Sequence, residues 1–290
     1  MLNIVGILIV LSSVFGGFYL SNGPMHILFQ PVEFLIILGC AFGAFLIANP
    51  VSVIKQVFAM LVPFFKGQTY TEEFYKQSIM LLHDLLLVNK RDGAIEIEKH
   101  IDNPEESNIF ERYPLVMKND HTLHFIIDNI RLVTGNEFQP HVIQQNIESE
   151  IELLHKHAQE PAHALQEVSD ALPGLGIVAA VLGIINTMQY LDGSNAEIGH
   201  HIGVALVGTF AGLFLAYGFV GPCATKLGHM ADEEKDLFQT LQVYIMAFIY
   251  KYNSETAAEI SRKHIPAHYK PSSQDIETAV KESKQYLKKK

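Results

Sequence analysis

Four long apolar stretches stand out from the mixed sequence of this 290-residue chain. A helix rises about 1.5 Å per residue, so roughly 20 apolar residues cross a hydrocarbon layer about 30 Å thick. Each stretch reaches that length, which predicts four transmembrane helices. Their predicted ranges are 2–20, 32–54, 172–191 and 202–224.

The four spans form two hairpins, 1–54 and 172–224, on either side of a long polar insert, 55–171. Within the insert and the tail, 225–290, apolar residues recur at helical rather than strand spacing. We therefore predict an all-α membrane protein with a helical insert and an amphipathic helix after the last span. The end of the tail, after His264, is expected to be loosely ordered.

Individual helices can be bounded within the insert. Thr69 and Glu72 have the spacing of a capping box and Gly93 offers a stop, which predicts a first helix between them. A second helix is predicted over 94–101 and a third over 122–133.

The cationic residues are confined to two blocks of the sequence. All 21 Lys and Arg residues lie within 55–156 or 226–290, and the two hairpins have none. Because Lys and Arg are retained on the cytoplasmic side, the insert, the tail and both chain termini are expected in the cytoplasm. The start of the chain also lacks the positive charge of a cleaved signal peptide.

Charged residues are almost absent from the spans. Glu33 is the single candidate, and its position at the outer edge of the second span favours a solvated end residue over an ion site. The third and fourth spans contain no Asp, Glu, Lys, Arg or His. If the protein conducts protons, a partner must therefore bring the titrating carboxylate.

The third and fourth spans are instead rich in small residues, including the Gly208-x-x-x-Gly212 spacing. Small residues let helices approach closely in lipid, where no hydrophobic driving force holds them together. Packing within one subunit accounts for most of these residues. A narrow, poorly hydrated path around another helix is the second interpretation.

Two prolines lie at the predicted cytoplasmic membrane face. Pro173 opens the third span, where a first-turn proline needs no hydrogen-bonded N–H. Pro222, near the end of the fourth, removes a helix bond and can bend the chain. From the residues alone, a hinge and a simple helix boundary are equally open. Upstream, Pro161 predicts a kink in the long helix that leads to the third span.

Opposite charges lie on both sides of a turn in the insert. Lys90 and Arg91 end the first helix, Gly93 turns the chain, and Glu96 and Glu98 follow. Taken alone, this pattern is typical of a solvated helix end, because exposed ion pairs contribute little to stability.

The sequence contains no catalytic or metal-binding constellation. Cys40 and Cys223 lie in predicted spans, and the 14 histidines lack a convergent set of Cys or carboxylate ligands. A Walker A loop, a nucleophile elbow and an HExxH motif are also absent from the sequence. We expect no enzymatic activity, no cofactor, no metal ion and no nucleic-acid partner.

Three sequence runs resemble the MotA family, the stator subunits of the bacterial flagellar motor. The first is the fourth-span run 205–214, Ala-Leu-Val-Gly-Thr-Phe-Ala-Gly-Leu-Phe, followed after seven residues by Pro222. The third-span run 171–183 and the insert stretch 103–114, which opens with Asn-Pro-Glu-Glu-Ser, are similar to the same family. The resemblance covers essentially the whole chain, including the spacing of both hairpins around the insert.

The resemblance implies a ring of several copies around a dimer of MotB, whose transmembrane helix supplies an Asp. It assigns conformational coupling to Pro173 and Pro222, and the ion path to Ala180, Thr209 and Tyr217. Sodium-driven relatives tend to carry threonine where this chain has Ala180, which favours H⁺ over Na⁺ as the transported ion. The implied location is the lipid bilayer of the bacterial inner membrane.

The resemblance also reverses the interpretation of the charged turn. In the MotA family, one basic and one acidic residue of this turn contact the rotor protein FliG. The match implies Glu98 as the acidic site and Lys90 or its neighbour Arg91 as the basic site, with Glu96 close by. Charge complementarity suits repeated, reversible contacts because it raises the rate of encounter.

Two other functions are open at this point. An ExbB- or TolQ-like proton-driven energiser of outer-membrane processes would use the same ion gradient, but those relatives have three spans and this chain has four predicted ones. A secondary transporter would need polar substrate-binding groups or interrupted helices near mid-membrane. The predicted spans supply almost none of these.

Overall fold

The computed structural model describes residues 2–66, 70–135, 139–190 and 194–288. Every regular element in those ranges is helical, which confirms the predicted all-α class. The α-helices are α1 (Leu2–Leu20), α2 (Pro31–Ala48), α3 (Val51–Lys66), α4 (Glu72–Asp92), α5 (Ala94–Asp102), α6 (Pro114–Met117), α7 (Asp120–Gly135), α8 (Pro140–Thr187), α9 (Asn195–Leu215), α10 (Gly221–Ile249), α11 (Ser254–His264) and α12 (Ser273–Lys288). Short 3-10 turns lie at Met25–Leu28, Pro104–Glu106, Phe110–Arg112 and Met188–Tyr190, and a π-helical turn covers Ala216–Val220.

The chain divides into two compact units. The first contains 1–67 and 158–230, and the second contains 68–157 and 231–290. In the described part of the chain, four helical stretches are long and apolar enough to cross a membrane. They are Leu2–Leu20, Met25–Ala48, and the apolar parts of Pro140–Tyr190 and Asn195–Ile249.

The apolar helices of the first unit expose side chains that a water-soluble protein would bury. No residue of α1, all of which is described, is buried, and Leu8 and Ile9 are 59% and 58% exposed. A helix that is hydrophobic on all sides belongs in lipid or against other apolar helices. The core of this unit is small, with Ile37 of α2 clustered with Leu172 of α8 and Ala211 of α9.

The helix predicted over 32–54 ends earlier in the structure. α2 stops at Ala48, where the Asn49 side-chain amide donates to the Phe45 carbonyl at 2.9 Å, and α3 begins after Pro50. Pro50 explains the break, because proline lacks the N–H that continues the ladder and disfavours helical backbone in the residue before it. α3 is consequently a separate helix.

α8 runs without interruption for 48 residues and contains Pro161 and Pro173 inside it. The interpretation of Pro173 as a first-turn residue is therefore wrong. An internal proline removes the bond that an N–H would make to the carbonyl four residues earlier, which here belongs to Ser169.

The second unit has a buried core built from both of its chain segments. Its largest buried side chains include Tyr75, Phe110 and Tyr244, and the rings of Phe125 and Phe238 stack with centroids 4.3 Å apart. Side chains from α4, α5, α7, α10, α11 and α12 meet in this core. The apolar faces of the helices in the insert and of the helices in the tail therefore pack into one shared core.

The helices predicted in the insert are confirmed with shifted ends. The capping residue of α4 is Thr71, whose hydroxyl accepts the Phe74 N–H at 3.2 Å; the predicted capping residue Thr69 lies outside the described residues. Gly93 follows α4 with a φ of 88°, a backbone conformation that costs glycine little. α5 and α7 cover the two shorter predicted helices.

The expectation of a loosely ordered tail after His264 is wrong. Residues Ser273–Lys288 form α12, where the Asp275 N–H donates to the Ser272 hydroxyl (3.1 Å) and the Ser272 N–H to the Asp275 carboxylate (3.2 Å). This reciprocal pair satisfies N–H groups that a helix start leaves unbonded. The buried positions of α12 share one face and are Ile276, Val280, Ser283 and Leu287.

Candidate functional site

The small residues of the third and fourth predicted spans bring α8 and α9 together at backbone distance. A Cβ placed on Gly176 would lie 2.7 Å from the Gly208 carbonyl oxygen, and one on Gly212 would lie 2.6 Å from the Leu172 carbonyl oxygen. Side chains do not approach backbone so closely, so these contacts require glycine. The Gly208-x-x-x-Gly212 face is thus used within one subunit, as the packing interpretation predicts.

The three residues assigned to the ion path differ in burial. Ala180 is 6% exposed, and a Cβ on Gly208 would lie 2.9 Å from the Ala180 backbone nitrogen. Thr209 is half-buried, and Tyr217, in the π-helical turn, is 71% exposed. The structure therefore brings Ala180 to the α8–α9 contact, where it lies against Gly208, the residue before Thr209. The Tyr217 side chain lies exposed in the π-helical turn that follows α9.

The helix pair also leaves large apolar side chains uncovered. In the part of α8 that belongs to the third predicted span, six large apolar residues are between 44% and 59% exposed. Apolar surface of this kind packs against lipid or against another apolar helix. The six are Ile177, Val178, Val181, Leu182, Ile184 and Ile185.

The fourth-span helix changes geometry just before Pro222. Residues Ala216–Val220 form a π-helical turn, and the Gly221 N–H donates to the Ala216 carbonyl, five residues earlier. The wider turn changes the bonding pattern where Pro222 lacks an N–H, and the chain continues directly into α10. π-Helical turns of this type recur at functional sites in other proteins.

One buried hydroxyl connects the surroundings of the two prolines. Ser169, four residues before Pro173, is 3% exposed and donates to the Ala216 carbonyl at 3.1 Å. Its oxygen lies 3.0 Å from the Cβ position of Gly221, the residue before Pro222. A chain of direct contacts thus leads from the Pro173 turn of α8 to the Pro222 turn.

Sequence reasoning did not identify Ser169. The available signal is a hydroxyl residue near a proline, because the O–H groups of Ser and Thr can donate to backbone carbonyls near the interrupted bonding pattern in membrane helices. That signal has meaning only when Pro173 lies inside a helix, and the sequence pattern had placed it at the start of one.

A cleft of about 480 Å³ opens beside Ser169 and Pro222. The predicted ion-path residue Tyr217 and the predicted coupling residue Pro222 both line it, so the structure brings these two together. Four further side chains add polar groups to a cleft whose lining is otherwise largely apolar. They are Gln166, Thr225, Lys226 and His229.

Glu33 is more buried than a solvated end residue would be. It lies in the first turn of α2 and is 8% exposed. The expectation that its carboxylate reaches bulk water freely is therefore wrong. A carboxylate in this position is stabilised by the N-terminal end of its helix.

The basic half of the charged turn lies at the end of α4. Arg91 is engaged within the chain, because its Nε lies 2.9 Å from both Asp92 carboxylate oxygens and its Nη1 donates to the Leu287 carbonyl of α12. The hydrogen bond from Arg91 lowers the pKa of Asp92, so this pair stays charged at neutral pH. Lys90 is exposed and, within the described chain, has neither a hydrogen bond nor an ion pair.

The acidic half lies on α5. The Glu96 carboxylate binds the Lys99 Nζ at 2.6 Å. Glu98 is exposed and pairs with no described residue. Between them and α4, Ile95 is 76% exposed. We call Lys90, Ile95 and Glu98 the tip, because these three side chains project without a partner from the described part of the second unit.

The histidines take part in ordinary contacts. Among the described residues, no group of three or more His, Cys, Asp or Glu side chains could hold a metal ion. His121, for example, bonds the Glu234 carboxylate through Nδ1 at 2.9 Å, and this bond raises the pKa of His121.

Comparison with known protein families places two long regions of the chain. Residues 4–93 match the family model described as Motility protein A N-terminal, and residues 118–240 match that of the MotA/TolQ/ExbB proton channel family. The two matches include both proposed proline sites, the ion-path residues and Lys90, whereas Glu98 lies between them.

Two curated relatives are similar to nearly the whole chain. The protein named chemotaxis protein LafT from Vibrio parahaemolyticus is 38% identical over 272 residues, which is 94% of this chain and 95% of that protein. Motility protein A from Escherichia coli is 35% identical over 281 residues, which is 97% of this chain and 95% of the relative.

Two solved structures share the fold. The flagellar MotAB stator complex from Bacillus subtilis matches with a TM-score of 0.72 and 22% identity, over 95% of this chain and 98% of the solved chain. MotAB from C. jejuni matches with a TM-score of 0.74 and 20% identity, over 91% and 95%. With two relatives more than one-third identical along nearly its full length, the chain belongs to the MotA/TolQ/ExbB proton channel family, as a stator subunit of the bacterial flagellar motor.

Proposed function

We propose that this stator subunit crosses the bacterial inner membrane four times and forms a ring of copies around a dimer of a MotB-type partner. The two solved structures compared above are MotAB structures. The uncovered apolar side chains of α8 support this assembly, because they provide a surface on which a neighbouring copy or the partner helix can pack.

The orientation follows from the positions of the cationic residues. α1 and α2 form one hairpin, and the apolar parts of α8 and α9 form the other. All Lys and Arg residues lie outside 1–54 and 157–225, so the turns of both hairpins face outward. The second unit and both chain termini then lie in the cytoplasm.

The ion path of the complex uses a carboxylate from the partner. The observation that carries this proposal is that 172–191 and 202–224, the spans that pack as the α8–α9 pair, contain no charged residue and no histidine. A carboxylate that enters this apolar environment changes its charge state at a high free-energy cost, so protonation is strongly coupled to the surrounding packing. Ala180, Thr209 and Tyr217 border the path, and Ala180 favours H⁺.

Pro173 and Pro222 couple ion uptake to movement of the cytoplasmic unit. Each interrupts the helix bonding pattern, and Ser169 connects the two through the Ala216 carbonyl at 3.1 Å. A change at one proline therefore has a direct mechanical route to the other.

The tip makes the contact with the rotor protein FliG. Lys90 and Glu98 project without an intramolecular partner from the described residues, whereas Arg91 and Glu96 are held by Asp92 and by Lys99. The two unpaired charges are available to a partner without first breaking an ion pair. This arrangement favours Lys90 over Arg91 as the basic contact.

The rotor contact is tested with Glu98→Lys in a cell that lacks its own stator and co-expresses the partner. Torque on a tethered bead should fall, because the substitution places like charges across the contact. A charge reversal at the facing rotor residue should restore part of the torque.

The matched control is Glu152→Lys, the same change at an exposed glutamate of α8 that lies outside the tip. This variant should swim normally. If no rotor substitution restores torque to Glu98→Lys, or if Glu152→Lys loses as much torque, the electrostatic contact is the wrong account.

A further inference from the structure

Six residues before Lys90, α4 carries a buried charge with three partners. Asp84 is fully buried, and its Oδ2 accepts a 2.7 Å hydrogen bond from the Tyr113 hydroxyl and a hydrogen bond from Arg112 Nη1. Its Oδ1 accepts a hydrogen bond from the Ser283 hydroxyl of α12, which is also fully buried. The carboxylate is therefore bonded on both oxygens.

The same region of α12 makes two more polar contacts with this part of the unit. The Arg112 guanidinium lies 4.2 Å from the centroid of the Tyr286 ring, within the range of a cation–π interaction. Arg91, at the end of α4, donates to the Leu287 carbonyl. Contacts at three positions within little more than one helical turn, 283, 286 and 287, thus fasten α12 to α4 and to the Arg112 turn.

The contacts of α12 with α4 lie on both sides of Lys90 along the sequence, at Asp84 and at Arg91. At about 1.5 Å per residue, Asp84 lies about 9 Å along α4 from Lys90, and Arg91 is the next residue. α4 ends at Asp92, and the glycine that follows does not restrain the chain by itself. Contacts with α12 therefore supply restraint where the helix would otherwise fray.

We propose that α12 is a clamp that fixes the orientation of the tip, with Asp84 as a positioning residue that joins α4 to Ser283 and Arg112. The proposal rests on the rotor contact proposed above and assigns a role to the C-terminal helix. Force between Lys90 or Glu98 and the rotor passes through α4 and α5. If the tip changes orientation under this force, less torque reaches the rotor. The buried, charge-assisted bonds at Asp84 are the strong element of the clamp.

The clamp is tested with Ser283→Ala in the full stator complex, beside the matched control Thr278→Ala. Both variants lose one hydroxyl from α12, but the Thr278 hydroxyl is exposed and donates only to the Gln274 carbonyl of its own helix. Arg112→Lys is the second test variant, because it keeps the charge and loses the planar stacking on Tyr286.

Three measurements separate positioning from general stability. Hydrogen exchange of the amides in 85–92 and in α12 should be about 10-fold to 100-fold faster in Ser283→Ala, since a hydrogen bond to a charged group is lost. Torque per stator unit, read from the step height as single units join a tethered motor, should fall. The number of units that join should not change, and Thr278→Ala should match the wild type in all three measurements.

Unchanged torque per unit in both Ser283→Ala and Arg112→Lys would overturn the clamp. So would a loss of joined units with normal torque per unit, because that result indicates a role in assembly. The rotor contact itself is judged separately by Glu98→Lys: if that variant loses torque and the clamp variants do not, the contact stands and the clamp fails.

Discussion

Pro173 and Pro222 each remove a helix bond, but their surroundings differ. Around Pro173, α8 continues and the Ser169 carbonyl loses the N–H bond it would otherwise accept, whereas before Pro222 a π-helical turn changes the bonding pattern. Ser169 joins the two through Ala216. The sequence marks both prolines, but a bond between residues 47 apart depends on how helices pack and could not be predicted from it.

Ser169→Ala tests this connection at a single atom. The change removes one buried hydrogen bond, worth about 1 kcal/mol, while the Ala216 carbonyl keeps its bond from Gly221. Membrane levels should therefore stay normal and swimming speed should fall. Ser12→Ala is the control, because the Ser12 hydroxyl is exposed and bonds only the Ile9 carbonyl of its own helix. Equal swimming by both variants would show that the Ser169 bond is not used in coupling.

His83 gives the second unit a defined pH dependence. It is fully buried, its Nδ1 shares a 2.7 Å hydrogen bond with the Tyr244 hydroxyl, and burial and then the nearby Lys284 charge lower its pKa to about 4. In the unfolded chain the imidazole protonates near pH 6.5, so the unfolded state binds the extra proton first as the pH falls. The contribution of neutral His83 to the free energy of unfolding is therefore fully present above pH 6.5, and it declines as the pH falls towards 4.

His83→Gln should remove this component. Between pH 7 and pH 5 the wild type should lose about 2 kcal/mol of unfolding free energy more than the variant loses. The measurement is thermal unfolding of the purified complex at both pH values. For each protein, the change in unfolding temperature between the two pH values gives a slope, and the slopes of the wild type and the variant are compared. Identical slopes would contradict the buried neutral state of His83.

At the scale of elements, local signals predicted some helices and missed others. α5 and the end of α4 followed from periodicity and from Gly93, because both depend on nearby residues. α12 was missed, since the prolines and serines before it suggested disorder, while its buried face is stabilised by contacts with other elements, mainly α4 and α11. The separate α3 was also missed, because apolar residues continue past Pro50 and hide the break.

The pairing of α8 with α9 is an element-scale feature that the sequence predicted in part. Small-residue spacing indicated close approach, and the structure shows that the contact lies within one subunit. Spacing alone could not identify the neighbour, because any helix with a matching surface can occupy a glycine face.

Gly212→Ala tests that contact. The added methyl group would lie 2.6 Å from the Leu172 carbonyl oxygen, so the helices must separate, at a cost of about 1 to 3 kcal/mol. The amount of folded complex recovered from membranes should fall, and its unfolding temperature should decrease. Gly203→Ala is the matched control on the same helix, where a Cβ meets nothing within 4 Å. A loss of similar size in the control would rule out the close contact as the cause.

For the whole molecule, the sequence alone predicted how the charged residues are distributed between the spans and the polar segments. The spans of the α8–α9 pair carry no charged residue and no histidine, and the cationic residues lie outside both hairpins. What the sequence alone could not give is which charges of the second unit are already paired. Arg91 and Glu96 are held by Asp92 and by Lys99, which are near in sequence, but the Leu287 contact comes from the far end of the chain.

In our proposal, this chain surrounds an ion path without supplying its proton-binding acid. The most direct test is proton flux into liposomes under an imposed membrane potential, with the purified chain alone and with the co-assembled partner. We expect the chain alone to leak protons no faster than empty liposomes, and proton flux to require the partner and its membrane-embedded Asp. Flux through the chain alone at the rate of the complex would contradict it.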